Sequence, residues 1–115
     1  MTFKTTFWIP LYTAFILFIG AQTAISDDFS GDIEAADEKV ILEQYDAAKN
    51  IYQKIIKSSK PSVVVAYAHY KLGTLYKRQN QYQKANNEYE KGLLTLKNAG
   101  QPNHQIGKFL AQAIQ

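Results

Sequence analysis

An eleven-residue pattern in this chain occurs twice. Gln44-Tyr45-x-x-Ala48-x-Asn50-x-Tyr52-x-Lys54 returns 37 positions later as Gln81-Tyr82-x-x-Ala85-x-Asn87-x-Tyr89-x-Lys91, with six identities in eleven positions. Within each copy Tyr, Ala and Tyr stand three and four residues apart, the step that puts side chains on one face of a helix. A second echo runs from Leu72-Gly73-x-x-Tyr76 to Ile106-Gly107-x-x-Leu110, 34 positions on. Self-similarity at this period is the signature of stacked helical units, each unable to bury its apolar face without its neighbours.

The rest of the chain from Asp27 onward agrees. No stretch alternates apolar and polar residues as a half-buried strand does. Helical steps of three, four and seven dominate in Val40, Ile41, Ala48, Ile51, Tyr52, Ile55 and Ile56. They recur in Val64, Val65, Ala68, Leu72, Leu75 and Tyr76, and in Tyr82, Ala85, Tyr89, Leu93, Leu94 and Leu96. Val63-Val64-Val65 reads as strand in isolation, but it follows Pro61, which suits a first helical turn, and leads into a helical pattern. Ser58-Ser59-Lys60-Pro61-Ser62, Asn80-Gln81 and Asn98-Ala99-Gly100-Gln101-Pro102 break the chain. The predicted elements are five helices, at about 31–42, 45–58, 61–79, 82–97 and 103–114. Short connections make consecutive helices antiparallel, so the expected class is all-α.

Residues 66–99 resemble a tetratricopeptide repeat. The pattern reads His69-x2-Leu72-Gly73-x2-Tyr76, then Ala85-x3-Tyr89, with His69 at the family's tryptophan position and Lys97 at its closing proline. Residues 29–62 resemble a weaker copy that keeps Tyr45, Ala48 and Tyr52 but lacks Leu-Gly. Residues 100–115 resemble the first helix of a third copy or a capping helix. The resemblance implies antiparallel helix pairs stacked as a short right-handed solenoid of about two and a half repeats. Small Gly73 and Ala85 would let two helices approach closely, with Leu72, Tyr76, Tyr82 and Tyr89 packed around them. It also implies a ligand groove lined by the first helix of each repeat: Tyr67, Tyr70, Thr74, Lys77 and Arg78, with His104 and Lys108 from the half repeat. Some family members clamp a terminal carboxylate with a Lys/Asn set. Tyr70 and Thr74 stand at those positions here, so that ligand class does not carry over.

The amino terminus reads as an address. A basic start, Met1 to Lys4, precedes the uncharged run from Phe7 to Ile19, then small residues, then Asp27-Asp28. That order describes a secretory signal peptide, with a cut after Ser26 or after Ala21. The alternative is an uncleaved membrane anchor, although the strongly apolar part is shorter than the ~20 residues a span needs. Residues 1–26 are therefore set apart from a helical domain over 27–115. The expected location is exported: periplasmic, secreted, or anchored by residues 7–26 with the domain outside the cytoplasm.

Chemistry is sparse. There is no cysteine, which excludes disulfides, thiolate nucleophiles and Cys-based zinc sites. The histidines, His69 and His104, have no ligand partners at helical spacing, and no phosphate-binding glycine loop or serine elbow is present. His69 reads as a packing residue and His104 as a helix-start residue. The acidic cluster Asp27, Asp28, Asp32, Glu34, Asp37 and Glu38 lacks the calcium-loop pattern and reads as an acidic helix start. The expectation is no enzyme, no metal and no cofactor.

Charge is divided along the chain. Asp27 to Asp46 holds eight acidic residues and one basic, Lys39; Ala47 to Gln115 holds eleven basic residues and only Glu88 and Glu90. Such a split serves an acidic partner, or lets the acidic helix neutralise the basic ones within one chain or between two. Tyr67, Tyr70, Lys71, Lys77 and Arg78 mix aromatic and basic residues as single-strand binders do, but tyrosine at helical spacing is more often core, so no nucleic acid is expected. The expected function is an exported scaffold or adaptor holding a partner peptide or protein in the groove. The alternative is a self-associating envelope protein whose homodimer completes the stack.

Overall fold

Helices follow one another with no strand among the described residues. The computed structural model describes residues 30–58 and 60–115; the expected signal segment, 1–26, lies outside them. The helices are α1 (Ser30–Ile41), α2 (Tyr45–Ser58), α3 (Val63–Arg78), α4 (Tyr82–Asn98) and α5 (Gln105–Ala113). The all-α expectation holds, and each boundary falls within two residues of its predicted place.

The start of α3 differs from expectation. Pro61 does not stand in the first turn. Ser62 is the N-cap, its hydroxyl accepting from the Val65 amide at 3.2 Å. A serine oxygen satisfies one of the helix's orphan N–H groups, which proline cannot do. α5 likewise starts later than predicted, because His104 caps it: its Nδ1 accepts from the Ile106 amide at 3.1 Å.

Three helices end in the same way. After α1, α3 and α4 a residue with positive φ follows: Glu43 (59°), Asn80 (62°) and Gly100 (73°). In each turn the next amide reaches back five residues: Gln44 to the Lys39 carbonyl (2.8 Å), Gln81 to Tyr76 (2.9 Å), Gln101 to Leu96 (2.8 Å). This is the Schellman stop, which satisfies the last helical carbonyls. Glu43 and Asn80 are 37 residues apart, the offset of the sequence echo.

Two apolar clusters form the core. Ala36 of α1, Ala48 and Tyr52 of α2, and Leu72 and Leu75 of α3 make the first. Ala66 of α3, Ala85, Tyr89 and Leu96 of α4, and Leu110 of α5 make the second. α3 feeds both, and Tyr76 packs against both. Each large apolar side chain taken from water contributes about 1.5–3 kcal/mol.

Two expected packing details need correction. Leu72 belongs to the α1–α2 side of the core, away from the Tyr89 cluster. Tyr82 is 48% exposed, and its hydroxyl donates to Asn80 Oδ1 at 3.1 Å. As the first residue of α4 it reaches back over the turn and leaves the core. Among the described glycines, the backbone of another helix comes nearest at Gly92, where an added Cβ would lie 3.3 Å from the Ala66 carbonyl oxygen.

Candidate functional site: a cleft and an aromatic shelf along α3

The groove expected along α3 begins with helical spacing. Tyr67, Tyr70, Thr74 and Arg78 advance by three, four and four residues, so one stripe of α3 carries them all. α1 flanks this stripe at one edge and α5 meets it at another.

Toward α1 lies an open cleft of about 290 Å³ lined by Asp37, Val40, Ile41, Tyr52, Lys71, Thr74, Leu75 and Arg78. Asp37 holds it together. One carboxylate oxygen accepts from the Tyr52 hydroxyl at 2.5 Å, and the other faces Lys71 Nζ at 3.3 Å. Burial, then the hydrogen bond and charge of Asp37, and then Tyr67, push the Tyr52 phenol far above its ordinary value. For Lys71, burial pulls the ammonium down, but Asp37 and Tyr67 outweigh it and leave the group above its ordinary value. Lys71 also stands 5.5 Å over the Tyr67 ring. Ile41, on the cleft wall, is 80% exposed. Arg78 is exposed and has no ion pair or hydrogen-bonded side-chain partner among the described residues.

Toward α5 the stripe becomes aromatic. Tyr67 and Tyr70 stack with centroids 6.4 Å apart and an interplanar angle of 22°. Tyr70 lies 6.4 Å from Phe109, itself about half exposed, and 5.9 Å from buried Tyr89. Thr74 joins shelf to cleft. Its hydroxyl donates to the Tyr70 carbonyl at 2.9 Å, so in its 3.2 Å contact with Tyr89 the tyrosine is the donor. Burial is the largest influence on the Tyr89 phenol and raises it above its ordinary value.

The other residues expected in the groove are less central. Lys77 is half-buried and not among those lining the cleft. His104 spends one ring nitrogen capping α5, and Lys108 is exposed. Asp37, Lys71, Ile41 and Phe109 were not among the expected groove residues. The repeat offset could have found Asp37: Tyr52 and Tyr89 are 37 apart, and so are their hydroxyl partners Asp37 and Thr74.

Elsewhere, His69 is buried as expected, but not as a purely apolar filler. Its Nδ1 lies 2.8 Å from Glu88 Oε2, and Lys91 approaches the other Glu88 oxygen at 3.4 Å. Burial alone would raise the Glu88 carboxyl; the hydrogen bond and charge of His69, then Lys91, bring it below its ordinary value. The echo carried this signal too, since Glu88 stands where the first copy has Ile51. These residues edge a hollow of about 210 Å³ between α2, α3 and α4. Among the described residues no three His, Asp or Glu side chains gather as a metal site would need. No helix among them is long and apolar enough to cross a membrane. No protein-family model, curated protein or solved structure matches the chain.

Proposed function

We propose that this chain is an exported, non-catalytic scaffold or adaptor of tetratricopeptide-like build, holding a peptide or protein segment along α3. The observation that carries the reading is the continuity of the stripe. A cleft of about 290 Å³ on the α1 side runs through Thr74 into a tyrosine–phenylalanine shelf on the α5 side. Tyrosine and arginine are the residue types that most often dominate binding energy at interfaces, and clefts between helices are common ligand positions. The tetratricopeptide-like build is supported by the His69-to-Tyr89 pattern, the matching turns at Glu43 and Asn80, and the matching Tyr52 and Tyr89 hydrogen bonds. The signal-like start at residues 1–26 supports export.

The test is affinity capture from envelope extracts with the wild type and with Tyr70→Ala/Lys77→Ala/Arg78→Ala. The partner is lost from the triple variant while its helical circular dichroism is retained. Capture of an unchanged set of proteins sinks the groove assignment.

A second reading, self-association, has its own observation. Of the α1 carboxylates only Asp37 pairs with another helix; Glu34 and Glu38 are exposed without an ion-pair partner among the described residues. Light scattering over a concentration series decides it, since a mass that stays monomeric rejects this reading.

A further inference from the structure

We infer that the α1–α3 cleft selects acidic–aliphatic peptide segments, with Arg78 taking a side-chain carboxylate and Val40 and Ile41 taking the neighbouring apolar side chain. The inference rests on the groove reading above and adds the chemistry of the occupant.

Three charged residues line the cleft, and two of them are occupied with each other. Asp37 gives one oxygen to Tyr52 and the other to Lys71, and Lys71 is further committed over the Tyr67 ring. That leaves Arg78 as the one lining charge without a partner among the described residues. Lys77 beside it has the same sign. The exposed carboxylates of α1, Glu34 and Glu38, are not among the lining residues and form no ion pair with Arg78 among the described residues. The cleft therefore offers a net positive charge to an occupant.

A guanidinium is suited to this role. Its planar fork matches a carboxylate in two parallel hydrogen bonds and sheds water more easily than an ammonium does. The apolar half comes from α1. Val40 and Ile41 line the same cleft as Arg78, and Ile41 leaves 80% of its surface in water. Ile41 stands one helical turn beyond Asp37, as Arg78 stands one turn beyond Thr74. The ends of α1 and α3 thus put an aliphatic wall and a free cation at one end of the cleft, with the closed Asp37–Lys71 pair behind them. A basic segment would meet Arg78 and Lys77 with like charge, which costs affinity as well as association rate.

Fluorescence anisotropy of the full chain with three labelled peptides tests this. The peptides have equal length and shared leucines, and differ only in carrying Glu, Gln or Lys at the polar positions. The Glu peptide binds about tenfold more tightly than the Lys peptide at low salt, and the gap narrows at ~0.3 M salt because the pair is exposed. Arg78→Gln weakens the Glu peptide about fivefold and leaves the Gln peptide unchanged. Arg78→Glu reverses the preference. Ile41→Gln weakens the Glu and Gln peptides alike. Both positions are exposed, and an unchanged helical spectrum checks the fold. Equal affinity for all three peptides, a preference that survives Arg78→Glu, or binding by none of them at millimolar concentration overturns the inference. Tyr70→Ala separates the two levels. Charge-blind binding that Tyr70→Ala abolishes leaves the groove standing and removes the acidic selectivity. Binding indifferent to both Tyr70→Ala and Ile41→Gln removes the groove itself.

Discussion

Tyr89 occupies the space that a side chain on Gly73 would need. A Cβ built on Gly73 would stand 2.5 Å from Tyr89 Cε1 and 2.8 Å from Cδ1. The ring has little room to yield, because Tyr89 is 1% exposed and its hydroxyl is bonded to Thr74. Two effects compete in Gly73→Ala. Alanine favours a helix interior over glycine by about 1 kcal/mol. Overpacking a filled core costs about 1–3 kcal/mol. The clash wins, and Gly73→Ala is expected to lower stability by about 1 kcal/mol in urea denaturation. A stabilised variant would show that the ring moves freely.

Much of this packing was legible from the sequence, for a physical reason. A helix exposes its pattern at a step of three to four residues, so Ala48, Tyr52, Ala85 and Tyr89 announce a buried face without any knowledge of their partners. What hid was whatever depends on which helix stands opposite. Leu72 and Tyr89 sit on neighbouring helices yet serve different clusters, because α3 has core on more than one side. Tyr82 has the spacing of a core residue, but a first-turn position lets its ring lean over the preceding turn. Asp37 looked like one more solvated carboxylate in an acidic helix. Its role needs α2 and α3 together, and only the 37-residue offset linked it in advance to Thr74.

The two tyrosine hydroxyls in this repeat pattern are not equivalent. Tyr52 donates to a carboxylate at 2.5 Å, whereas Tyr89 donates to a neutral hydroxyl at 3.2 Å. A hydrogen bond to a charged group is worth about 1.5–3 kcal/mol, and a neutral one about 0.5–1.5. Tyr52→Phe is therefore expected to cost more stability than Tyr89→Phe, by about 1 kcal/mol. It also frees one Asp37 oxygen to water beside Lys71. Paired thermal melts of the two variants check the order, and equal losses would contradict it.

Acid sensitivity should centre in part on Glu88. Its folded-state pKa lies below the ordinary 4.5, because His69 and Lys91 outweigh the effect of burial. A carboxyl depressed by folding contributes stability that is fully present above its unfolded value and is lost as pH falls below that value through the folded one. Glu88→Gln removes the charge at all pH values. The variant is expected to be less stable than wild type by about 1.5–3 kcal/mol at pH 7, the scale of a charged hydrogen bond. The difference should shrink as pH drops below about 4.5, where Glu88 takes up a proton in the wild type. A gap that stays constant down to pH 3 would place the effect in side-chain shape and not in charge.

The three matching helix stops predict one substitution that strengthens the fold. Each stop needs a residue with positive φ, where a side chain is strained and glycine is not. α4 has Gly100 there and α3 has Asn80, a residue that tolerates the conformation. α1 has Glu43 at φ 59°, exposed and without an ion-pair partner among the described residues. A left-handed conformation costs a side-chain-bearing residue about 1–2 kcal/mol, and glycine offsets part of its own gain through greater freedom in the unfolded chain. Glu43→Gly is expected to stabilise by about 0.5–1 kcal/mol, raising the melting temperature by a few degrees for a domain of this size. Gly100→Ala is the mirror experiment. An added Cβ there meets nothing within 4 Å, so any loss arises from backbone strain and not from a clash. A loss of about 1 kcal/mol at Gly100 together with a gain at Glu43 identifies the φ requirement as the common cause. A loss at both positions would instead assign Glu43 a side-chain contribution that outweighs its strain.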